Sequence, residues 1–322
     1  MYSEPLLEVK QLKKYYTIDQ GWFKPRKVVK AVDDVSFTVY KGETFALVGE
    51  SGCGKSTTGR TILRLHDPTS GQIVFAGREI SGLSYSEMRR LRRKMQMVFQ
   101  DPYASLNPKK TIRQILTEPL RVHGVASPTE RVKQAVRILE IVGLSEYHLD
   151  RYPHEFSGGQ RQRIGIAKAV ILHPELIVAD EPVSALDVSI QSQVINLLLK
   201  LQREFSLTYV FISHDLGVVR HISDRVAVMY LGKVVEVAAT EEIFASPKHP
   251  YTKALLSAVP AAHPDEKRER ILLTGDVPSP VNPPPGCAFH PRCPSCMEIC
   301  RTAAPPMVNA GEHHVVACHL YN

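Results

Sequence analysis

A chain of 322 residues with 43% hydrophobic and 23% charged residues can build a sizeable core under a solvated surface, and its length implies two or three folding units. The formal charge of +7 at pH 7 suits phosphate, nucleic acid or an anionic membrane surface. No apolar run approaches the roughly 18 residues of a membrane-spanning helix, and the start, Met1-Tyr-Ser-Glu-Pro5, lacks the basic flank and apolar stretch of a signal peptide, so the chain reads as cytosolic with the option of docking on something membrane-bound.

In chain order, residues 6 to 18 alternate as a strand ending in Tyr15 and Tyr16, and residues 19 to 30, with Trp22 and several basic residues, read as a surface loop. Strand character returns at Val35–Val39, and Lys41-Gly42-Glu43 turns the chain into the buried strand Phe45–Val48. Gly49, Gly52 and Gly54 then break that strand, and Lys55 opens a helix through Ile62 and Leu63. The spacing Gly49-x-x-x-x-Gly54-Lys55-Ser56, in a strand–loop–helix context, is the P-loop pattern. Glycines let successive N–H groups turn inward around phosphates, and the helix N-terminus favours negative charge. Lys55 is placed to reach the β- and γ-phosphates, and the Ser56 hydroxyl to ligate Mg²⁺. A nucleoside triphosphate site is implied.

Gln72–Ala76 reads as another strand, residues 84 to 95 as a helix, and Met97–Phe99 as a short buried strand leading to Gln100-Asp-Pro102. The densest basic stretch, Arg89, Arg90, Arg92, Arg93 and Lys94, fits a solvated helix face better than a nucleic-acid patch. Residues 101 to 156 are helical in period, with Val132, Ala135, Val136, Leu139 and Val142 on one apolar face, and read as a helical insertion. Leu176–Ala179 and Leu207–Ile212 lack alternation, as central parallel strands do. Arg225–Tyr230 and Lys233–Val237, separated by Leu231-Gly232, read as a hairpin. After about residue 245 the composition changes, and Pro278, Pro280, Pro283, Pro284 and Pro285 stiffen a connector into a cysteine-rich tail.

Phe156-Ser-Gly-Gly-Gln160 opens a further helix that Ser157 is placed to cap, which offers a second anion-binding helix start. Leu176–Ala179 runs into Asp180 and Glu181, one carboxylate placed to support Mg²⁺ and the next to orient or deprotonate a water. Ser184-Ala-Leu-Asp187 and Ser213-His214-Asp215 follow. Taken singly, Gln100 also reads as a strand-end polar residue, His214 as a satisfied core histidine and Asp187 as a helix cap; the order of the motifs outweighs these readings.

With six motifs in order, residues 5 to 245 resemble the nucleotide-binding subunit of ABC transporters. The resemblance implies an α/β ABC ATPase: a RecA-like P-loop core, an antiparallel β subdomain and a helical subdomain at about 101–156, together spanning 1–245. Gly49, Glu50, Ser51, Gly52, Cys53, Gly54, Lys55, Ser56 and Thr57 resemble Walker A, and Gln100 the Q-loop glutamine. Phe156 to Gln160 resembles the signature, with Phe where Leu is usual, so Ser157, Gly158, Gly159 and Gln160 are nucleotide contacts. Asp180 and Glu181 resemble Walker B and its catalytic glutamate, Asp187 the D-loop aspartate and His214 the switch histidine. Tyr16 matches the aromatic that stacks on adenine, with Tyr15 its adjacent alternative. The implied machinery is catalytic Glu181, His214, Lys55 and Gln100, with Mg²⁺ on Ser56, Gln100 and Asp180. In such proteins two cassettes meet head to tail, so that the P-loop of one and the signature of the other close on the same ATP.

The segments Ser246–Leu256 and Gly286–Pro294 resemble the C-terminal extension of the oligopeptide/dipeptide importer branch, and the 100–108 segment and the Trp22 loop resemble the second, F-type, of its two paired ATPases. This implies a small cysteine-rich extension over 246–322, a heterodimer with a distinct ATPase, two permease subunits, an extracellular binding protein acting indirectly, and a peripheral place on the cytoplasmic face of the inner membrane. The cargo, whether peptide, nickel or sugar, is not readable. The family pattern also implies a [4Fe–4S] cluster on Cys287, Cys293, Cys300 and Cys318, spaced x₅, x₆ and x₁₇; Cys296 offers a substitute ligand, and zinc or free thiols are the other readings. Cys53 reads as a small filler. The competing function is a soluble ABC ATPase acting on nucleic acid with a zinc-binding tail, although residues 245 to 322 carry seven Lys/Arg against six Asp/Glu, poor for phosphate neutralisation. A non-catalytic structural partner is a third, opposed by the presence of Lys55, Glu181 and His214.

Overall fold

The computed structural model describes residues 4–19, 26–125, 127–259 and 270–322; Trp22 and its immediate loop lie outside them. Strand β1 (Pro5–Ile18) buries Leu6, Leu7, Val9 and Leu12, and pairs antiparallel with β2 (Lys27–Tyr40). β2 starts at Lys27, in what the sequence suggests is loop. Its first residues, Lys27 to Lys30, are paired with Ile18 to Tyr15 of β1, so the ladder extends the strand where its own side chains do not alternate. β3 (Thr44–Val48) is buried at every position, as a continuous apolar strand must be. Helix α1 (Lys55–Ile62) follows the glycine-rich loop. β4 (Ser70–Phe75) and β5 (Arg78–Glu79) complete an antiparallel sheet of order β2-β1-β4-β5.

The chain divides into two compact units, residues 1–81 with 213–322, and Gly82–Ile212. In the second unit α2 (Tyr85–Leu91) is started by a capping box between Ser84 and Glu87. It ends at Leu91, short of the expected residue 95, because Met95 already belongs to β6 (Met95–Val98). Helices α3 (Pro102–Ser105), α4 (Ile112–Val122) and α5 (Pro128–Ile141) follow, the last two capped by Thr111 and Ser127. After α6 (Gly158–Val170) come β7 (Leu176–Asp180), α7 (Val188–Phe205) and β8 (Thr208–Ser213). Strands β6, β7 and β8 are parallel, and β7 lies between its two neighbours. All five residues of β7 are buried, and full burial of each Leu, Ile or Val side chain contributes about 1.5–3 kcal/mol. That anchors the carboxylates at its C-terminal end.

Returning to the first unit, α8 (Leu216–Ile222) precedes β9 (Arg225–Tyr230) and β10 (Lys233–Ala239). Leu231 and Gly232 join these strands at φ 46° and 79°, the two left-handed positions of a tight hairpin turn. β9 runs parallel beside β3. Helices α9 (Thr240–Ala245), α10 (Pro250–Ser257) and α11 (Glu298–Thr302) lead to a terminal hairpin, β11 (Val308–Gly311) and β12 (His314–Val316), which adds two strands to the free side of β10. Beneath that join, fully buried Glu236 accepts the N–H groups of Lys248 and His249, and His314 Nε2 lies 2.7 Å from its carboxylate. No helix of the described residues is long and apolar enough to cross a membrane.

Candidate active site

In the first unit the glycine-rich loop leaves β3 with a backbone that only glycine accommodates at two points. A Cβ on Gly49 would overlap the Met229 carbonyl oxygen, and one on Gly54, at φ 104°, would overlap that of Ala31. Gly54 occupies the N-cap of α1 in the left-handed region, so Lys55 and Ser56 form the first turn. Lys55 is almost wholly buried, and its ammonium donates to the carbonyls of Gly49 (2.8 Å) and Glu50 (3.0 Å). The cation is thus held inside the loop by two of the loop's own carbonyls. Cys53 is buried beside it, Sγ 3.8 Å from the Lys55 ammonium, and burial pushes its thiol pKa up. This is a small neutral side chain filling the turn.

Tyr15 and Tyr16 separate cleanly. Adjacent strand residues face opposite ways, and the Tyr15 hydroxyl is committed to Asp33 at 2.5 Å, with its pKa raised first by burial and then by that bond. Tyr16 is half-buried, with the Lys14 ammonium 4.9 Å from its ring centroid and the His66 ring edge-on at 6.1 Å. Of the pair, it keeps the uncommitted ring. His214, at the end of β8, is exposed, and Asp215 caps α8 by accepting the N–H groups of Gly217 (2.8 Å) and Val218 (3.2 Å).

In the second unit the end of β7 carries buried Asp180 and half-buried Glu181. Glu181 has φ 46°, a left-handed conformation that costs a non-glycine residue on the order of 1 kcal/mol. Its N–H donates to the Ile212 carbonyl at 2.9 Å, which holds the kink. The kink turns the carboxylate out of the strand, where the exposed Gln100 amide donates to it at 3.0 Å. Residues 81 positions apart are thereby brought to one point. Gln191 of α7 donates to the carbonyls of Val183 and Leu186, both at 3.1 Å, and so folds the segment before Asp187. Asp187 occupies the N-cap position of α7 with no side-chain capping bond and is exposed.

Helix α6 begins as the motif suggests. Ser157 Oγ accepts the Gln160 N–H, and the Gln160 side chain accepts the Ser157 N–H at 3.0 Å, a closed capping box. Ser157 is exposed and Gly158 half-buried, so this helix start is open to a partner. Gly159 is tight, since a Cβ there would lie 2.7 Å from Ile190 Cγ2. Phe156, where the family pattern has Leu, is buried 5.5 Å from the His148 ring.

The tail differs from expectation. All six cysteines are free thiols, and among the described residues no three Cys, His, Asp or Glu side chains are arranged to hold a metal ion. Cys287, Cys293 and Cys318 lie within electrostatic reach of other cysteines of the tail, but burial pushes their thiols up, Cys293 to about 11. Ligation by the expected set of Cys287, Cys293, Cys300 and Cys318, with Cys296 in reserve, would take these groups as thiolates. What the tail does bring together was hidden in the sequence. Arg292 of the tail pairs with Glu50 of the P-loop, and Tyr251 accepts the Glu50 N–H.

The glycine cradle with its buried lysine and the carboxylate pair with its glutamine define an ABC-type ATPase. The family model of the ABC transporter matches residues 32–184, and that of the oligopeptide/dipeptide transporter C-terminal region matches residues 235–300. The chain is 59% identical to the oligopeptide transport ATP-binding protein AppF of Bacillus subtilis, over 99% of this chain and 98% of that one. It is 55% identical to a probable peptide ABC transporter ATP-binding protein, y4tS, of Sinorhizobium fredii, over 99% and 90%. Among solved structures, the dimeric post-hydrolysis state of the ATP-binding cassette MJ0796, bound to ADP and Pi, matches with a TM-score of 0.66 at 31% identity, over 73% of this chain and 99% of that one. The chain belongs to the family of ATP-binding subunits of oligopeptide/dipeptide ABC transporters. None of these matches supports a nucleic-acid ATPase.

Proposed function

We propose that this chain hydrolyses ATP to drive import of di- and oligopeptides through two permease subunits, working head to tail with a paired, similar ATPase on the cytoplasmic face of the membrane. The observation that carries this reading is the exposed, fully capped start of α6 at Ser157. Such a helix start is an anion site that a companion subunit's nucleotide can reach. Residues 1–245 are the cassette, with a helical subdomain at about 101–156, and residues 246–322 the extension.

In this mechanism Tyr16 stacks on the adenine, and the loop N–H groups from Gly49 to Thr57 cradle the phosphates. Lys55 moves from the loop carbonyls onto the β- and γ-phosphates. Ser56, Asp180 and Gln100 would hold Mg²⁺, which would supply neutralisation of phosphate charge when bound. Release of Glu181 from the Gln100 amide frees its carboxylate to orient or deprotonate the attacking water. His214 supports the γ-phosphate, Asp187 lines the facing cassette, the partner's own signature segment closes the other side, and Ser157 to Gln160 of this chain close on the partner's nucleotide. An extracellular binding protein delivers the peptide indirectly. The iron–sulfur reading of the tail rests on family resemblance and thiol chemistry alone and enters no step; iron and sulfide content of anaerobically purified protein tests it.

The test of the function is reconstitution. The chain should co-purify with permease subunits and support MgATP-dependent peptide uptake into vesicles. Salt-dependent binding of nucleic acid by the purified chain, with no permease association, would overturn the reading.

A further inference from the structure

Residue 50 is gripped at three groups, and two of the grips come from the C-terminal tail. Its carbonyl accepts from Lys55 at 3.0 Å, a bond internal to the P-loop. Its N–H donates to the Tyr251 hydroxyl at 2.9 Å. Its carboxylate receives both Nη atoms of Arg292, at 2.8 and 3.2 Å, in fork-to-fork geometry. The Tyr251 ring is fully buried and the Arg292 side chain nearly so. Both are fixed by packing, since the rings of Tyr230, Tyr251, Phe289 and His249 lie with centroids 4.7–5.5 Å apart. Arg292 closes the short turn that follows Phe289, and its N–H donates to the Phe289 carbonyl at 3.0 Å.

A carboxylate inside a phosphate cradle is electrostatically out of place. Glu50 is two residues from Gly52 and carries the sign that repels a triphosphate, and like charges in a partly buried site interact far more strongly than in water. A bidentate guanidinium cancels that charge and fixes the side chain. From this geometry we infer that Arg292 and Tyr251 are positioning residues of the nucleotide site, and that the tail tunes the P-loop's affinity for triphosphate by neutralising and holding Glu50. The inference rests on the P-loop being the nucleotide site.

Charge removal on each side of the pair separates this from simple propping. MgATP affinity is measured on the purified full chain with a fluorescent ATP analogue, and KM and kcat on the transporter assembled with its permeases. Arg292→Gln should raise Kd and KM about three- to tenfold with kcat nearly unchanged, and the excess should shrink in about 0.5 M salt. Arg292→Lys should recover part of the loss, because it restores the charge without the fork. The double variant Glu50→Gln/Arg292→Gln should return near wild-type affinity although the ion pair is absent. Glu50→Gln alone should bind MgATP more tightly than wild type, because the Arg292 charge is then uncompensated beside the loop, and this keeps the test alive if Arg292→Gln fails to fold. Wild-type affinity in Arg292→Gln, no rescue in the double variant, or unchanged or weaker binding by Glu50→Gln would each overturn the inference. Lys55→Ala serves as the control: if it too binds MgATP normally, the P-loop reading itself has failed.

Discussion

The two regions proposed to carry the ATP chemistry, one in each unit, are built on opposite principles. The P-loop in the first unit is closed upon itself. Lys55 is buried on two loop carbonyls, Gly49 and Gly54 leave no room for a side chain, and the tail grips Glu50. The carboxylate end of β7 in the second unit is open at its tip. Glu181 is half-buried in a strained conformation and is met by an exposed glutamine at 3.0 Å. A phosphate cradle gains from being formed before its ligand arrives, since donors already aimed need no reorganisation. A group that must act once per cycle gains from a contact it can exchange.

That contrast is broken most forcefully at Glu181. Glu181→Gln keeps size and hydrogen bonding but removes the base, so ATPase turnover should fall at least about 100-fold while MgATP binding survives and a nucleotide-loaded dimer accumulates. Normal turnover would mean that the open end is not the catalytic one. A smaller effect is expected at the helix start of the same unit. Gly159→Ala places a methyl 2.7 Å from Ile190 Cγ2, a stiff β-branched neighbour, and should cost about 1–3 kcal/mol of unfolding stability. Gly158→Ala meets only Leu186 Cδ2 at 3.8 Å and should leave the melting temperature unchanged. Equal behaviour of the two would remove the packing argument.

The least effect concerns the support beneath the P-loop. Burial lowers the His249 pKa to about 4 from 6.5, so the ring is neutral in the folded protein, where its Nδ1 accepts the Tyr251 N–H. Because the unfolded chain binds that proton more readily, the contribution is complete above about pH 6.5 and is lost as pH falls toward 4. Stability should drop by about 0.7 kcal/mol between pH 7 and pH 6 from this group. Chemical denaturation at the two pH values reads it, and a His249→Gln variant should lack that share of the slope.

Much of this was legible in the sequence where chemistry is local. The P-loop spacing, the Leu231-Gly232 turn, the Ser157 capping box and the buried run into Asp180 each state their conformation within a few residues. β2 was half-hidden, because Lys27 to Lys30 are a strand only by virtue of β1's ladder. The tail was misread in emphasis. Its cysteines stand out in the sequence as candidate ligands, whereas Tyr251 and Arg292 sat unremarked in the His-Pro-Tyr and His-Pro-Arg segments. Arg292 meets a partner 242 positions away, and no periodicity or spacing announces a pair of that separation. The sequence favoured Tyr16 over the adjacent Tyr15 by motif alone, and the hydrogen bond from the Tyr15 hydroxyl to Asp33 adds a physical difference between them.

Everything here turns on one cation held in one glycine loop. Equilibrium binding of MgATP to the purified full chain, compared with Lys55→Ala, measures that directly. The wild type should bind and the variant lose at least about tenfold in affinity while melting at the same temperature without nucleotide. Equal affinity in both would contradict the placement of the triphosphate on Gly49 to Thr57.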